Sequence, residues 1–100
     1  MIVRMSDNGA SVRLKLREKL EVRLPESQVS GYVWEYKEGC PVLRLDDSDY
    51  AERGPARFNG LGERSWHFAA VATGRCILNF YLVRPWSAPS LEFSVEADVR

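Results

Sequence analysis

The chain has one histidine, two cysteines and no excess of either charge, and each shortage removes a class of function. A hydrolytic or acid–base site needs a base held beside its partner. The lone His67 sits in an alternating segment, where it points away from Trp66 and Phe68 and towards solvent, so Cys–His catalysis is not expected and the chain does not read as an enzyme. Cys40 and Cys76 stand 36 positions apart, which excludes a CxxC redox pair or a zinc knuckle. Reduced thiols are the expectation, with a staple between two strands, and hence an oxidising compartment, as the alternative. Fourteen basic residues balance fourteen acidic ones. No net field therefore draws the chain onto a polyanion or an anionic membrane, and neither nucleic acid nor membrane is expected as partner. No apolar run approaches the roughly 18 residues of a bilayer span. Arg4, Asp7 and Asn8 stand where a secretion signal needs an apolar stretch, so the chain is expected in the cytoplasm if Met1 is its native start, and in the periplasm or outside the cell if a leader has been removed.

What remains is ordinary for one folded domain: 100 residues with 45% apolar content, enough to bury roughly two-thirds of the surface exposed on unfolding. The dominant pattern is alternation, the mark of strands with one face buried. Val12, Leu14 and Leu16 form one such row. After a tight turn at Glu18-Lys19 they are followed by a second row, Leu20, Val22 and Leu24, which Pro25 should end because it has no N–H for the ladder. Glu26 to Ser30 reads as a loop. Tyr32, Trp34 and Tyr36 make a third strand and Leu43 and Leu45 a short fourth. Asp46 to Gly60 reads as a polar stretch with a further short strand near Tyr50. Trp66, Phe68 and Ala70 are expected to form a hairpin with Cys76, Leu78, Phe80 and Leu82 across Thr73-Gly74. Leu91, Phe93, Val95, Ala97 and Val99 form the last strand. Seven to eight short strands with frequent turns predict an all-β, immunoglobulin-like antiparallel sandwich, with Trp34 as a core tryptophan.

Few groups suggest chemistry. Asp46, Asp47 and Asp49 lack the spacing and central glycine of a calcium loop and read as a solvated acidic turn. Gly60-Leu61-Gly62 lacks the third glycine of a dinucleotide fingerprint, and no helix follows it, so no cofactor and no metal is expected. The glycines read as loop geometry. Arg84-Pro85-Trp86 breaks the strand pattern: Pro85 stops the alternation and Trp86 falls outside it. An exposed Trp beside an Arg is a common binding anchor.

Taken together, these segments resemble the chagasin family of cysteine-protease inhibitors. That family has an NPTTG loop before a strand beginning Tyr-x-Trp, a GxGG loop, and an RPW or RPF loop. Here Ser27-Gln28-Val29-Ser30-Gly31 precedes Tyr32-Val33-Trp34, Gly60-Leu61-Gly62-Glu63 follows, and then Arg84-Pro85-Trp86. The first loop differs at Ser27, Gln28, Val29 and Ser30, and the second at Glu63. The resemblance implies a non-catalytic monomer whose three loops gather at one end of the sandwich. Residues 27–31 would enter the cleft of a papain-like cysteine protease, while Gly60 to Glu63 and Arg84 to Trp86 clasp it on either side. Gly60 and Gly62 would let the enzyme's backbone approach closely. A loop that offers no carbonyl in attack geometry would resist cleavage. The differing loops leave a second expectation, a binding module of the same build with another protein partner and no inhibitory activity.

Overall fold

In the computed structural model, residues 1–27, 30–52, 61–86 and 88–100 are described. Alternation is realised there as eight strands: β1 (Ile2–Val3), β2 (Ser11–Leu14), β3 (Lys19–Ser27), β4 (Val33–Lys37), β5 (Leu43–Glu52), β6 (Leu61–Ala70), β7 (Gly74–Val83) and β8 (Leu91–Val99). They form two four-stranded sheets, a first in the order β1-β3-β6-β5 and a second in the order β2-β8-β7-β4. This is the expected all-β sandwich, but two of its pairings are parallel, β1 with β3 and β2 with β8. The chain starts in the first sheet, crosses to the second and returns, so no hairpin forces β1 and β3 to run in opposite directions.

Neither expected hairpin exists. β2 pairs with β8 while β3 pairs with β6, and β6 and β7 lie in different sheets. Alternation says which side chains are buried, not which strand lies alongside, because both sheets of a sandwich turn the same kind of face inward. The first supposed turn is the crossover after Leu14, where Arg17 adopts a left-handed φ of 74°. Leu16, expected in the buried row, has left the sheet and is 48% exposed.

Two more boundaries move. β3 continues through Pro25 to Ser27. The Pro25 carbonyl accepts the indole N–H of Trp34 at 2.8 Å instead of a β6 donor, so the side of Pro25 that lacks an N–H faces away from the ladder. Of the polar stretch read as an acidic turn with a separate strand near Tyr50, Asp46 to Glu52 belong to β5, and residues 53–60 lie outside the described residues. A bulge between Leu45 and Asp47 inserts Asp46, whose carboxylate takes Arg44 and Lys19, and the extra residue resets the alternation.

The core lies between the sheets. Phe68, Phe80 and Phe93 are fully buried, and Phe80 stands with its ring centre 4.7 Å from Trp66 and 5.8 Å from Phe93. Each such side chain contributes about 1.5–3 kcal/mol by leaving water. Trp34 is 4% exposed, as expected. The reduced-thiol expectation is corrected: Cys40 and Cys76 form a disulfide, with Cα atoms 5.4 Å apart. Lys37 pairs with Asn79, and extending that antiparallel register three positions sets Cys40 opposite Cys76.

Candidate functional site

β3 ends at Ser27, opposite the first residue of β6, Leu61, and Gly62 lies between Glu26 and Glu52 on the flanking strands. In the second sheet β4 begins at Val33, opposite the last residue of β7, Val83. Ser27, Ser30, Gly31, Leu61, Gly62, Arg84, Pro85 and Trp86 therefore gather at one end of the sandwich. Gln28, Val29 and Gly60 lie outside the described residues. Leu61, Gly62 and Glu63 belong to strand β6 and not to a loop, because β3 extends far enough to pair with all three and β5 with Gly62 and Glu63.

Gly31 has φ of +78°, which a side chain would strain, and a Cβ there would lie 3.6 Å from the Cδ of Arg84. Arg84 fills the space beside it. Its guanidinium sits 4.4 Å from the ring centre of Tyr32 and 5.6 Å from that of Trp86, so one cation bridges the first and third segments. Trp86 remains 75% exposed. Ser30 donates its hydroxyl to the Ser27 carbonyl at 2.7 Å and accepts the Tyr32 N–H at 3.1 Å, giving the first segment an internal brace.

Beneath these residues the inward row of β3, Leu20, Val22 and Leu24, continues to Glu26, which is buried. Its carboxylate accepts the Trp34 backbone N–H at 2.7 Å and both Nε and a terminal nitrogen of Arg64 at 2.8 Å. Sequence reasoning missed Glu26 by ending the strand at Pro25, although the alternation runs through it. The Arg64 guanidinium lies 5.4 Å from the ring centre of Tyr50. A Cβ on Gly62 would overlap the Tyr50 ring and hydroxyl and the Ala51 carbonyl. Within the chain, the close neighbours that Gly62 admits are Tyr50 and the Ala51 carbonyl.

A profile described as Chagasin family peptidase inhibitor I42 matches residues 13–98. The chain belongs to the chagasin family of peptidase inhibitors. It is similar to Chagasin from Trypanosoma cruzi, 24% identical over 93 residues that span 88% of this chain and 84% of that protein. Its fold matches the cysteine protease inhibitor EhICP2 from Entamoeba histolytica with a TM-score of 0.88, at 15% identity over 99% of this chain and 94% of that one. PbICP-C, solved in complex with falcipain-2, matches with a TM-score of 0.58 at 14% identity, over 99% of this chain and 88% of that one. By family the chain is a peptidase inhibitor and not an enzyme.

One charged group of this chagasin-family chain lies away from the gathered loops. On the outer face of the first sheet His67 bridges Asp47 of β5 through Nδ1 and Glu21 of β3 through Nε2, and Arg23 contacts Glu21. Two carboxylates on two ring nitrogens favour the doubly protonated imidazolium. Partial desolvation opposes that charge, but hydrogen bonds and attraction from Glu21 and Asp47 outweigh it and raise the His67 pKa. For Glu21 desolvation likewise opposes the charged form, and Arg23 and His67 override it to lower the pKa. Among the described residues no group of three or more His, Cys, Asp or Glu is placed to hold a metal.

Proposed function

We propose that the chain inhibits papain-like cysteine proteases reversibly by seating the end of the sandwich over the catalytic cleft. Residues Ser27, Gln28, Val29, Ser30 and Gly31 would enter it. Arg84, Pro85 and Trp86 would lie against one wall, and Gly60, Leu61, Gly62 and Glu63 against the other. The observation that carries this reading is Trp86, a rigid aromatic left 75% exposed beside the first segment and held there by Arg84. Such an anchor contributes affinity at little cost in ordering. An interface of about 1,600 Å² around it is compatible with nanomolar binding. PbICP-C, a relative in fold, forms a complex with falcipain-2.

The test is a titration of papain and cathepsin L with the purified protein. Inhibition overcome by excess substrate, with the inhibitor recovered uncleaved, is expected. No inhibition of either enzyme at micromolar concentration would remove this reading. The second reading, a binding module for another partner, draws on the residues at 27–30 and 63 that differ from the family loops. It gains if wild-type protein is inert and a Val29→Thr variant inhibits.

The Cys40–Cys76 disulfide favours an oxidising location, the periplasm or outside the cell, over the cytoplasm. Thiol labelling of the protein taken directly from its native cells tests this, free thiols being the contrary result.

A further inference from the structure

Glu26 and Trp34 flank the first segment, one residue before Ser27 and one after Val33, and they sit in different sheets. β4 is an edge strand, and Trp34, opposite Leu82 of β7, turns its backbone N–H away from β7 towards the open side, where it meets the Glu26 carboxylate at 2.7 Å. The Trp34 indole N–H meets the carbonyl of the preceding residue, Pro25, at 2.8 Å. Two hydrogen bonds thus join the two limbs of the segment at its neck. The second carboxylate oxygen of Glu26 is taken by Arg64 of β6, so the neck is tied to the middle of the first sheet as well.

The burial of Glu26 is the informative part. Its side chain is 1% exposed, where a carboxylate is costly unless paired and hydrogen-bonded, and an apolar residue at this inward position would extend the core row of β3. An apolar residue would leave the edge N–H of Trp34 without its acceptor and Arg64 without its carboxylate partner. Above the neck, the Ser30 brace and the Arg84 contact with Tyr32 fall on residues between Glu26 and Trp34.

We propose that Glu26, with Arg64 as its counter-charge, is a positioning residue: a buried clamp across the neck of the first segment that holds Ser27, Ser30 and Tyr32 in a binding-ready arrangement before any protease arrives. It rests on the inhibitory reading for its purpose and on the free protein for its existence. Preorganisation of this kind raises affinity by reducing the ordering left to be done on binding.

Two variants test it. Glu26→Gln keeps an acceptor for Trp34 but loses the charge that holds Arg64. Arg64→Gln changes a partly exposed residue and leaves the carboxylate in place, so it reads the same clamp if Glu26→Gln fails to fold. Amide hydrogen exchange of the free proteins is the first measurement. Exchange at Tyr32, Val33 and Trp34 should accelerate by at least about tenfold in either variant, while Phe80 and Phe93 in the core hold their protection. Inhibition of papain should weaken by about tenfold, chiefly through faster dissociation. Unchanged exchange at the neck, or acceleration spread evenly over core and neck, would overturn the clamp and leave Glu26 a stability residue only. Failure of wild-type protein to inhibit papain removes the inhibitory reading and not the clamp, which the exchange pattern decides by itself.

Discussion

The two ends of the sandwich are closed in different ways. At the end away from Trp86, Cys40 and Cys76 join the exit of β4 to the start of β7, and Val42, Leu43 and Ala70 are buried apolar residues. At the Trp86 end the inward-facing rows stop being apolar: Glu26, Tyr50 and Arg64 take the core-facing register of β3, β5 and β6. The first end, where Asp98 also pairs with Arg75 and Arg100, needs only to stay shut, which the covalent bond and apolar packing achieve. The second must keep Trp86 and its neighbours presented to a partner. Hydrogen bonds and ion pairs fix direction, whereas apolar burial alone would tend to draw an exposed tryptophan inward.

Substitutions that act on one end only sharpen this contrast. Cys40→Ser with Cys76→Ser opens a loop of 36 residues. Urea unfolding should show a loss of about 3–4 kcal/mol, a chain-entropy value, with the papain inhibition constant unchanged. A change in that constant beyond about threefold would show that the ends are coupled, since distant sites normally add independently. Gly62→Ala forces Tyr50 out of its place at the polar end and should cost about 1–3 kcal/mol of stability. In a Tyr50→Ala background that cost should fall without vanishing, because the added Cβ still meets the Ala51 carbonyl, and an undiminished cost would mean that Tyr50 is not what requires the glycine.

Trp86→Ala is the converse of the cysteine pair. It should weaken inhibition of papain by roughly 30-fold, about 2 kcal/mol, with the melting temperature unchanged because the side chain is exposed. An unaltered inhibition constant would take the anchor out of the proposed interface.

The smallest effect belongs to neither end. The folded-state pKa of His67 is raised, so its contribution to stability is complete below the unfolded value near 6.5 and is lost as pH rises through the folded value. The Glu21 contribution has the opposite sign, present above its unfolded pKa and lost as pH falls through the lowered folded one. His67→Gln should flatten the fall in stability as pH rises above the unfolded value near 6.5. The amount is at most a few tenths of a kcal/mol, because the pair is solvent-screened. An identical pH profile in wild type and variant would show that the two carboxylates do not hold the charged ring.

Much of this was legible in the amino-acid order, for physical reasons. Period-two alternation identified Leu20, Val22, Leu24, Trp34, Trp66, Phe68, Leu78, Phe80, Phe93 and Val95 as core residues, because burial on one face of a strand leaves a mark in every second residue. It also placed Trp86 outside the core. Pairing left no such mark. Tight turns and sheet crossovers use the same polar residues, so β2 with β3 and β6 with β7 looked like hairpins. Glu26 was misread for a related reason: a buried carboxylate resembles a loop residue until its partners are seen, and Arg64 is 38 residues away.

By itself, then, the sequence determined the fold class, the identity of the core and the family likeness, all of which rest on residues near one another along the chain. The three-dimensional arrangement alone decided which strands lie side by side, that Cys40 meets Cys76, that Gly62 makes room for Tyr50, and that Glu26 ties Trp34 to Arg64. Most of these are contacts between residues far apart in the chain, and even Glu26 and Trp34 lie in different sheets. Their energy depends on distance and orientation in space, and no local pattern of residue types encodes those.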